Sequence, residues 1–349
     1  MYGRFQKISE MIRRIILKIT VLVALLGGYV GAEAQQNIQL TQYIFNSLSV
    51  NPAYAGYKEE WFLQMGLRSQ WSGLKGAPQT GLLSVDGLAD PYGRKLHGIG
   101  LQVMSDRLGP QSANSAYANY AFRLQLDEFD TKRLSFGIGA GVTQYSLDGS
   151  QLDPLHQGDQ ALPSNKISNF VPDVRFGIYY NAPHWYAGAS IMDLLSGDQT
   201  NNIFRWDKTT TDNIRRRRHM YFIAGALMDF DSGLKLRPSI LVKEDFRGPT
   251  SLDVNAMFIF ADRFWIGGGW RTGVTVFQHD YRRVTGNSLQ NRNSLSAVVQ
   301  LYATDRLRIG YSYDHIVSKL GNVQNGAHEL SLGLTFGKRD MRLLSPRFF

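Results

Sequence analysis

From Trp61 to Phe336 this chain repeats one unit about fourteen times: some ten residues of alternating apolar and polar side chains, then a turn. A period of two sends successive side chains to opposite faces of a strand. The cleanest run sets Leu134, Phe136, Ile138, Ala140 and Val142 against Ser135, Gly137, Gly139, Gly141 and Thr143. The turns sort by length. Counted from the first strand, the even connections are all short: Asp90–Lys95, Asp127–Lys132, Asn181–His184, Asp229–Gly233, Ala261–Arg263 and Ala303–Arg306. The odd ones include the three longest, Asp148–Pro172, Leu195–Arg218 and Thr272–Ser294. Tight turns on one side and long loops on the other are the pattern of an antiparallel barrel in an outer membrane, with both ends on the periplasmic side. A sandwich of seven plus seven strands is the competing architecture, and it does not explain the sorted loops.

The expectation is therefore an all-β fold, a transmembrane antiparallel β-barrel of about 14 strands over residues 61–336. Residues 35–60 would be a pre-barrel periplasmic or plug segment, and residues 337–349 a periplasmic carboxyl-terminal tail. Residues 1–34 have the form of an export signal. Arg13, Arg14 and Lys18 precede the apolar stretch Ile19–Val30, and Ala32-x-Ala34 is a small-residue cleavage site, so the mature chain should start at Gln35. Met11, just before the arginine pair, is an alternative start to Met1. The apolar stretch falls short of the ~20 residues of a spanning helix, and no later apolar run approaches that length. Cysteine is absent, which excludes a lipoprotein anchor, disulfides and thiolate metal sites. Without the signal, 33 basic residues stand against 27 acidic ones. This modest, dispersed excess suits contact with anionic lipopolysaccharide or phosphate; a nucleic-acid groove would need a clustered stripe.

If the apolar set faces lipid, the other set faces a lumen. It includes Arg68, Asp86, Arg175, Lys235, Arg237, Asp253, Arg308, Asp314 and Glu329. The mixed signs predict cross-lumen ion pairs rather than a channel selective for one charge. About 14 strands leave room for water unless residues 35–60 or the long loops plug the opening. Arg215, Arg216, Arg217 and Arg218 form the densest charge run, either a solvated loop base or a grip on phosphate at the outer rim, since guanidinium forks bind phosphate bidentately. In Asn51-Pro52-Ala53-Tyr54-Ala55-Gly56, Asn-Pro favours a turn and Gly56 permits a left-handed residue. The small residues there would let this segment pack closely on or inside the barrel wall. No HxxxH, HExxH, GxSxG or phosphate-loop pattern occurs among the seven histidines and the glycines. No catalytic, metal or cofactor site is expected, although a Ser–His–acid site assembled from separate strands is recognised by geometry alone.

Several of these strings are shared with a known family. They are Asn51–Gly56, Arg68-x-Gln70-Trp71, Gly76-Ala77-Pro78-x-Thr80, Leu83–Asp86, Gly98–Leu101 with Asp106–Pro110, and Gly141–Tyr145. Further on come Pro172-Asp173-x-x-Phe176–Tyr180, Leu236–Lys243, Phe264–Arg271, Ile309–Asp314, His328–Leu332 and the closing Ser345–Phe349. In this order they resemble the PorP/SprF family of type IX secretion system outer-membrane proteins of Bacteroidota. The resemblance implies a 14-stranded, non-enzymatic barrel that assists secretion or surface attachment of cargo with C-terminal sorting domains, gliding adhesins among them. It also implies other type IX components and a periplasmic peptidoglycan-linked protein as partners. The lumen by itself suggests the alternative, a diffusive porin or small-solute transporter.

Overall fold

The structure, a computed structural model, describes residues 40–151, 165–196, 217–230, 233–246, 250–274, 276, 294–317 and 323–336. The export signal, its cleavage site and the carboxyl-terminal tail lie outside the described residues. The strands are β1 Trp61–Ser69, β2 Gln79–Leu88, β3 His97–Leu108, β4 Gln111–Gln125 and β5 Arg133–Asp148. Next come β6 Lys166–Asn181, β7 Trp185–Met192, β8 His219–Ala226, β9 Leu234–Glu244 and β10 Thr250–Phe260. The last four are β11 Phe264–Val274, β12 Ser294–Tyr302, β13 Leu307–Ile316 and β14 Ala327–Phe336. Each pairs antiparallel with its neighbours in sequence order. Strand β1 also pairs with β14, from Trp61 opposite Phe336 to Ser69 opposite His328, and this closes the sheet into a barrel. The sandwich is ruled out by that seam.

Closure follows from the solvent. Hydrocarbon offers no partner for an unpaired peptide group, so a sheet spans it only without edges. The alternation then sets the two faces. Along β3, Ile99, Leu101 and Val103 are exposed while Gly98, Gly100 and Gln102 are buried. Strand β8 is apolar on both faces: Met220 and Phe222 point out, Tyr221 and Ile223 point in. The ladder is interrupted at Leu227, whose N–H donates to the His184 carbonyl (2.8 Å), and Met228 and Asp229 resume pairing with β9 in the same register.

The connections differ from expectation in two places. Residues 149–165, not Asp148–Pro172, form the connection between β5 and β6, because both strands run on as a hairpin from Asp148–Lys166 down to Arg133–Asn181. Strand β4 begins at Gln111, after a turn of only Gly109 and Pro110. One connection at the long-loop end is therefore as tight as any at the other. Gly109 takes a left-handed φ of 55°, which the turn needs. The three longest connections still share one end of the barrel, and by the rule for outer-membrane barrels the opposite, short-turn end faces the periplasm.

Two aspartates close short turns. Asp90 accepts from the backbone N–H groups of Leu96 and His97, each at 3.0 Å. Asp127 accepts from the Thr131 hydroxyl (2.5 Å) and from the Thr131 and Lys132 N–H groups (2.9 and 2.8 Å). Slight burial pushes the Asp90 carboxyl up, but the His97 and Leu96 N–H groups outweigh it, and the pKa ends below the ordinary value. The Thr131 hydroxyl leads in holding that of Asp127 down. A depressed folded pKa means that the stabilisation is complete above the ordinary carboxylate value of about 4 and is lost as pH falls through the lowered one. The protection of the Leu96, His97, Thr131 and Lys132 amides, taken as exchange relative to the intrinsic rate at each pH, should therefore be high at pH 6 and should fall below pH 4, a change absent in Asp90→Asn and Asp127→Asn chains.

Candidate functional site: a lumen filled by the chain itself

The lumen is occupied by the segment immediately before β1. Residues 41–57 are almost entirely buried, with Tyr43, Ile44, Phe45, Leu48, Ala53, Tyr54 and Tyr57 packed in one core with inward side chains of the wall. Three 3₁₀ turns, Gln42–Phe45, Ser47–Ser49 and Pro52–Tyr54, fold it compactly. At the third, Asn51 is extended and its Oδ1 accepts from Ala53 N–H (2.9 Å), while Pro52 holds the φ a first helical residue needs. Each large apolar side chain so buried contributes about 1.5–3 kcal/mol. The segment is an integral part of the core.

It descends the lumen from the long-loop end to the short-turn end. At the top, Thr41 N–H and Gln42 N–H donate to the Glu329 carboxylate (2.8 and 3.1 Å), and Thr41 Oγ1 donates to Asp314 (2.6 Å). Arg68 pairs with both acids, at 2.6 Å to Asp314 and 2.9 Å to Glu329. Beside them Asp253 holds Arg271 (2.6 Å) and Lys243 (3.0 Å), and Arg271 also donates to the Leu40 carbonyl (3.3 Å). All these wall residues lie within the last few positions of their strands at the long-loop end.

In the middle, Tyr43 accepts from Asn255 Nδ2 (2.7 Å) and the Ile44 carbonyl accepts from Arg237 (3.0 Å). The Asn51 amide donates to the carbonyls of Ile178 (3.0 Å) and Ala189 (3.3 Å), bridging β6 and β7. Below, the segment lies directly on wall glycines. A Cβ on Gly137 would overlap the Ala53 backbone, and one on Gly98 would overlap the Ala55 carbonyl. Gly56 N–H donates to Asp86 (2.9 Å). At the short-turn end, Glu59 receives Lys95 (2.8 Å), Arg123 (3.2 Å) and Arg133 (3.8 Å). Glu59 adopts a left-handed φ of 62°, a conformation costing roughly 1–2 kcal/mol, and these cations hold it there.

The residues singled out in the sequence fall as follows. Arg68, Asp86, Arg175, Asp253, Arg308, Asp314 and Glu329 are all buried on the inner face. Their pairs do not span the lumen, however. Arg68, Asp314 and Glu329 come from β1, β13 and β14 around the seam, and Asp253 and Arg271 from adjacent strands. An incompletely filled pore would need struts; here the inserted segment receives the bonds instead. Arg175 donates to Gln102 (3.1 Å) and stacks on the Tyr117 ring (3.2 Å), and Arg308 donates to Gln64 (2.9 Å) and faces the Phe45 and Phe62 rings. Lys235 sits at the rim with Asp262 (2.7 Å). Asn51, Pro52, Tyr54 and Gly56 are in the segment just described. Arg217 and Arg218 precede β8 at the long-loop end, whereas Arg215 and Arg216 lie outside the described residues.

Sequence reasoning passed over Glu59, Arg123 and Arg133. The signal was present: an acid pair, Glu59 and Glu60, just before β1, and two arginines at polar-face positions beside a short turn. The inward glycines of the wall, Gly98 and Gly137 among them, are seats for the backbone of the inserted segment. His328 faces outward with its Nδ1 2.7 Å from Tyr311 Oη, away from the inward Glu329. His219 pairs with Asp193 (3.1 Å), but its Nε2 has no hydrogen-bonding hydroxyl among the described residues.

The chain matches the family described as "Type IX secretion system membrane protein PorP/SprF" over residues 32–334. No curated protein matches it. Among solved structures, the CymD monoaromatic hydrocarbon channel is 11% identical, with 88% of this chain and 95% of that chain covered and a TM-score of 0.48. A TodX deltaS2S3 mutant monoaromatic hydrocarbon channel is 10% identical, with 89% and 98% covered and a TM-score of 0.47. Omp33 of Acinetobacter baumannii is 8% identical, with 80% and 100% covered and a TM-score of 0.41. At such distances these proteins say nothing of what this lumen handles.

The seat and the lower clamp make separate demands. Gly98→Val and Gly137→Val should each destabilise the barrel by about 1–3 kcal/mol through overpacking, whereas Ala118→Val on the outer face should be near neutral. Glu59→Gln strands buried guanidiniums and should cost about 3–5 kcal/mol. Removing the exposed Arg263–Asp305 pair, 62% and 64% accessible, should cost under ~1 kcal/mol. Equilibrium unfolding in detergent micelles reads all five.

Proposed function

This chain belongs to the PorP/SprF family of type IX secretion system membrane proteins, and we propose that it serves secretion as a closed barrel acting by protein contact. It is an outer-membrane β-barrel. The observation that carries the reading is the lumen filled from Thr41 to Glu59 by the chain's own residues and clamped at both ends. A diffusive porin needs an open water path, and the ring of bonds at Thr41 and at Glu59 opposes one.

In this reading the long loops assist secretion or surface attachment of cargo with C-terminal sorting domains, gliding adhesins among them. The short turns and the 337–349 tail contact other secretion components and a periplasmic peptidoglycan-linked protein. Tail residues Lys338, Arg339, Arg342, Arg347, Phe348 and Phe349 combine charge with aromatic anchors, a mixture suited to an interface. No chemical step is assigned to the barrel. Arg215, Arg216, Arg217 and Arg218 hold lipid phosphate at the outer rim.

Four measurements test this. The purified barrel in a planar bilayer should show no steady conductance, and the wild-type protein should retain secretion components on affinity capture. A steady open conductance without such partners would make it a porin. Loss of the gene should deplete sorting-domain cargo from the cell-surface proteome. Arg215–Arg218→Ala should lower the lipopolysaccharide retained in detergent.

A further inference from the structure

The inserted segment crosses the lumen once, and in a defined direction. Glu59 lies among the periplasmic turns with Lys95, Arg123 and Arg133, while Thr41 and Gln42 lie against Glu329 and Asp314, two positions from the long-loop ends of β14 and β13. Leu40 is drawn still further that way, its carbonyl held by Arg271 near the end of β11. We propose that the chain upstream of Leu40 leaves the barrel at the long-loop end, so that the mature amino terminus is displayed at the cell surface while β14 ends on the periplasmic side.

Two physical constraints support this. The way back down is filled by Tyr43, Ile44, Phe45 and Leu48, each at most 4% accessible and packed against wall residues such as Trp265 and Val298. The tether is also too short. If the signal is removed after Ala34, the residues upstream of Leu40 reach at most ~3.6 Å apiece, or roughly 18 Å, against an apolar belt of ~25 Å. The segment is then a covalent rod joining the outer mouth to the periplasmic turns. A partner gripping the amino end from outside would load first the bonds of Leu40, Thr41 and Gln42 to Arg271, Asp314 and Glu329.

The absence of cysteine from the chain makes the test clean. Asn37→Cys would be compared with Val323→Cys, exposed at the long-loop end, and Tyr92→Cys, exposed in a short turn. A membrane-impermeant maleimide on intact cells should label Asn37→Cys and Val323→Cys, and should label Tyr92→Cys only after permeabilisation. In parallel, a Gly/Ser-flanked epitope inserted after Asn37 should bind antibody on intact cells. An Asn37→Cys that follows the Tyr92→Cys pattern, or an epitope and thiol both silent on intact cells while Val323→Cys reacts, would overturn the proposal. Either result would leave the secretion role untouched, because that role rests on conductance and partner capture.

Discussion

A peptide group in hydrocarbon has no water to bond, and this makes the pairing of β1 with β14 the condition on which the rest of the molecule depends. Once the sheet is closed, alternation creates an inside, and the inside must be satisfied in turn. The chain does so with its own preceding residues rather than with a water column. The seam and the insert meet at one place. Arg68 and Glu329 are register partners across the seam, and the same Glu329 carboxylate accepts the Thr41 and Gln42 N–H groups. Closure of the barrel and seating of its upper insert are thus coupled through one carboxylate.

The charges acquire their meaning from that coupling. Isolated buried carboxylates and guanidiniums are costly, and they persist where each finds partners. Here three acids of the wall, Asp253, Asp314 and Glu329, gather at the long-loop end around Thr41, and Glu59 of the lower insert gathers cations at the short-turn end. Between them the contact is backbone on backbone, which glycine permits and any side chain would block. A segment held this way at both ends and in the middle has no loose third from which to open, which favours a barrel that works through its two faces.

Much was legible beforehand. The period of two, the evenness of the strand count and the clustering of the longest loops required only local patterns, because lipid on one face imposes a rule on every second residue. Asn51–Gly56 was also recognisable as a turn able to pack closely. The loop lengths beside Asp148 and Gly109 were less so, since a hairpin can continue beyond the membrane wherever two strands go on pairing, whatever their polarity.

The sequence by itself determined the architecture, its even closure and which residues turn inward, since each follows from neighbours along the chain and from the solvent. Only the tertiary structure decided what the inward residues do. Whether Gly137 leaves a gap or seats Ala53, whether Arg123 lines a pore or clamps Glu59, and which way the insert runs depend on contacts between residues from 36 to 288 positions apart. Such pairings leave no period in a sequence. They are set when the barrel closes around a segment that must satisfy the whole inner wall at once.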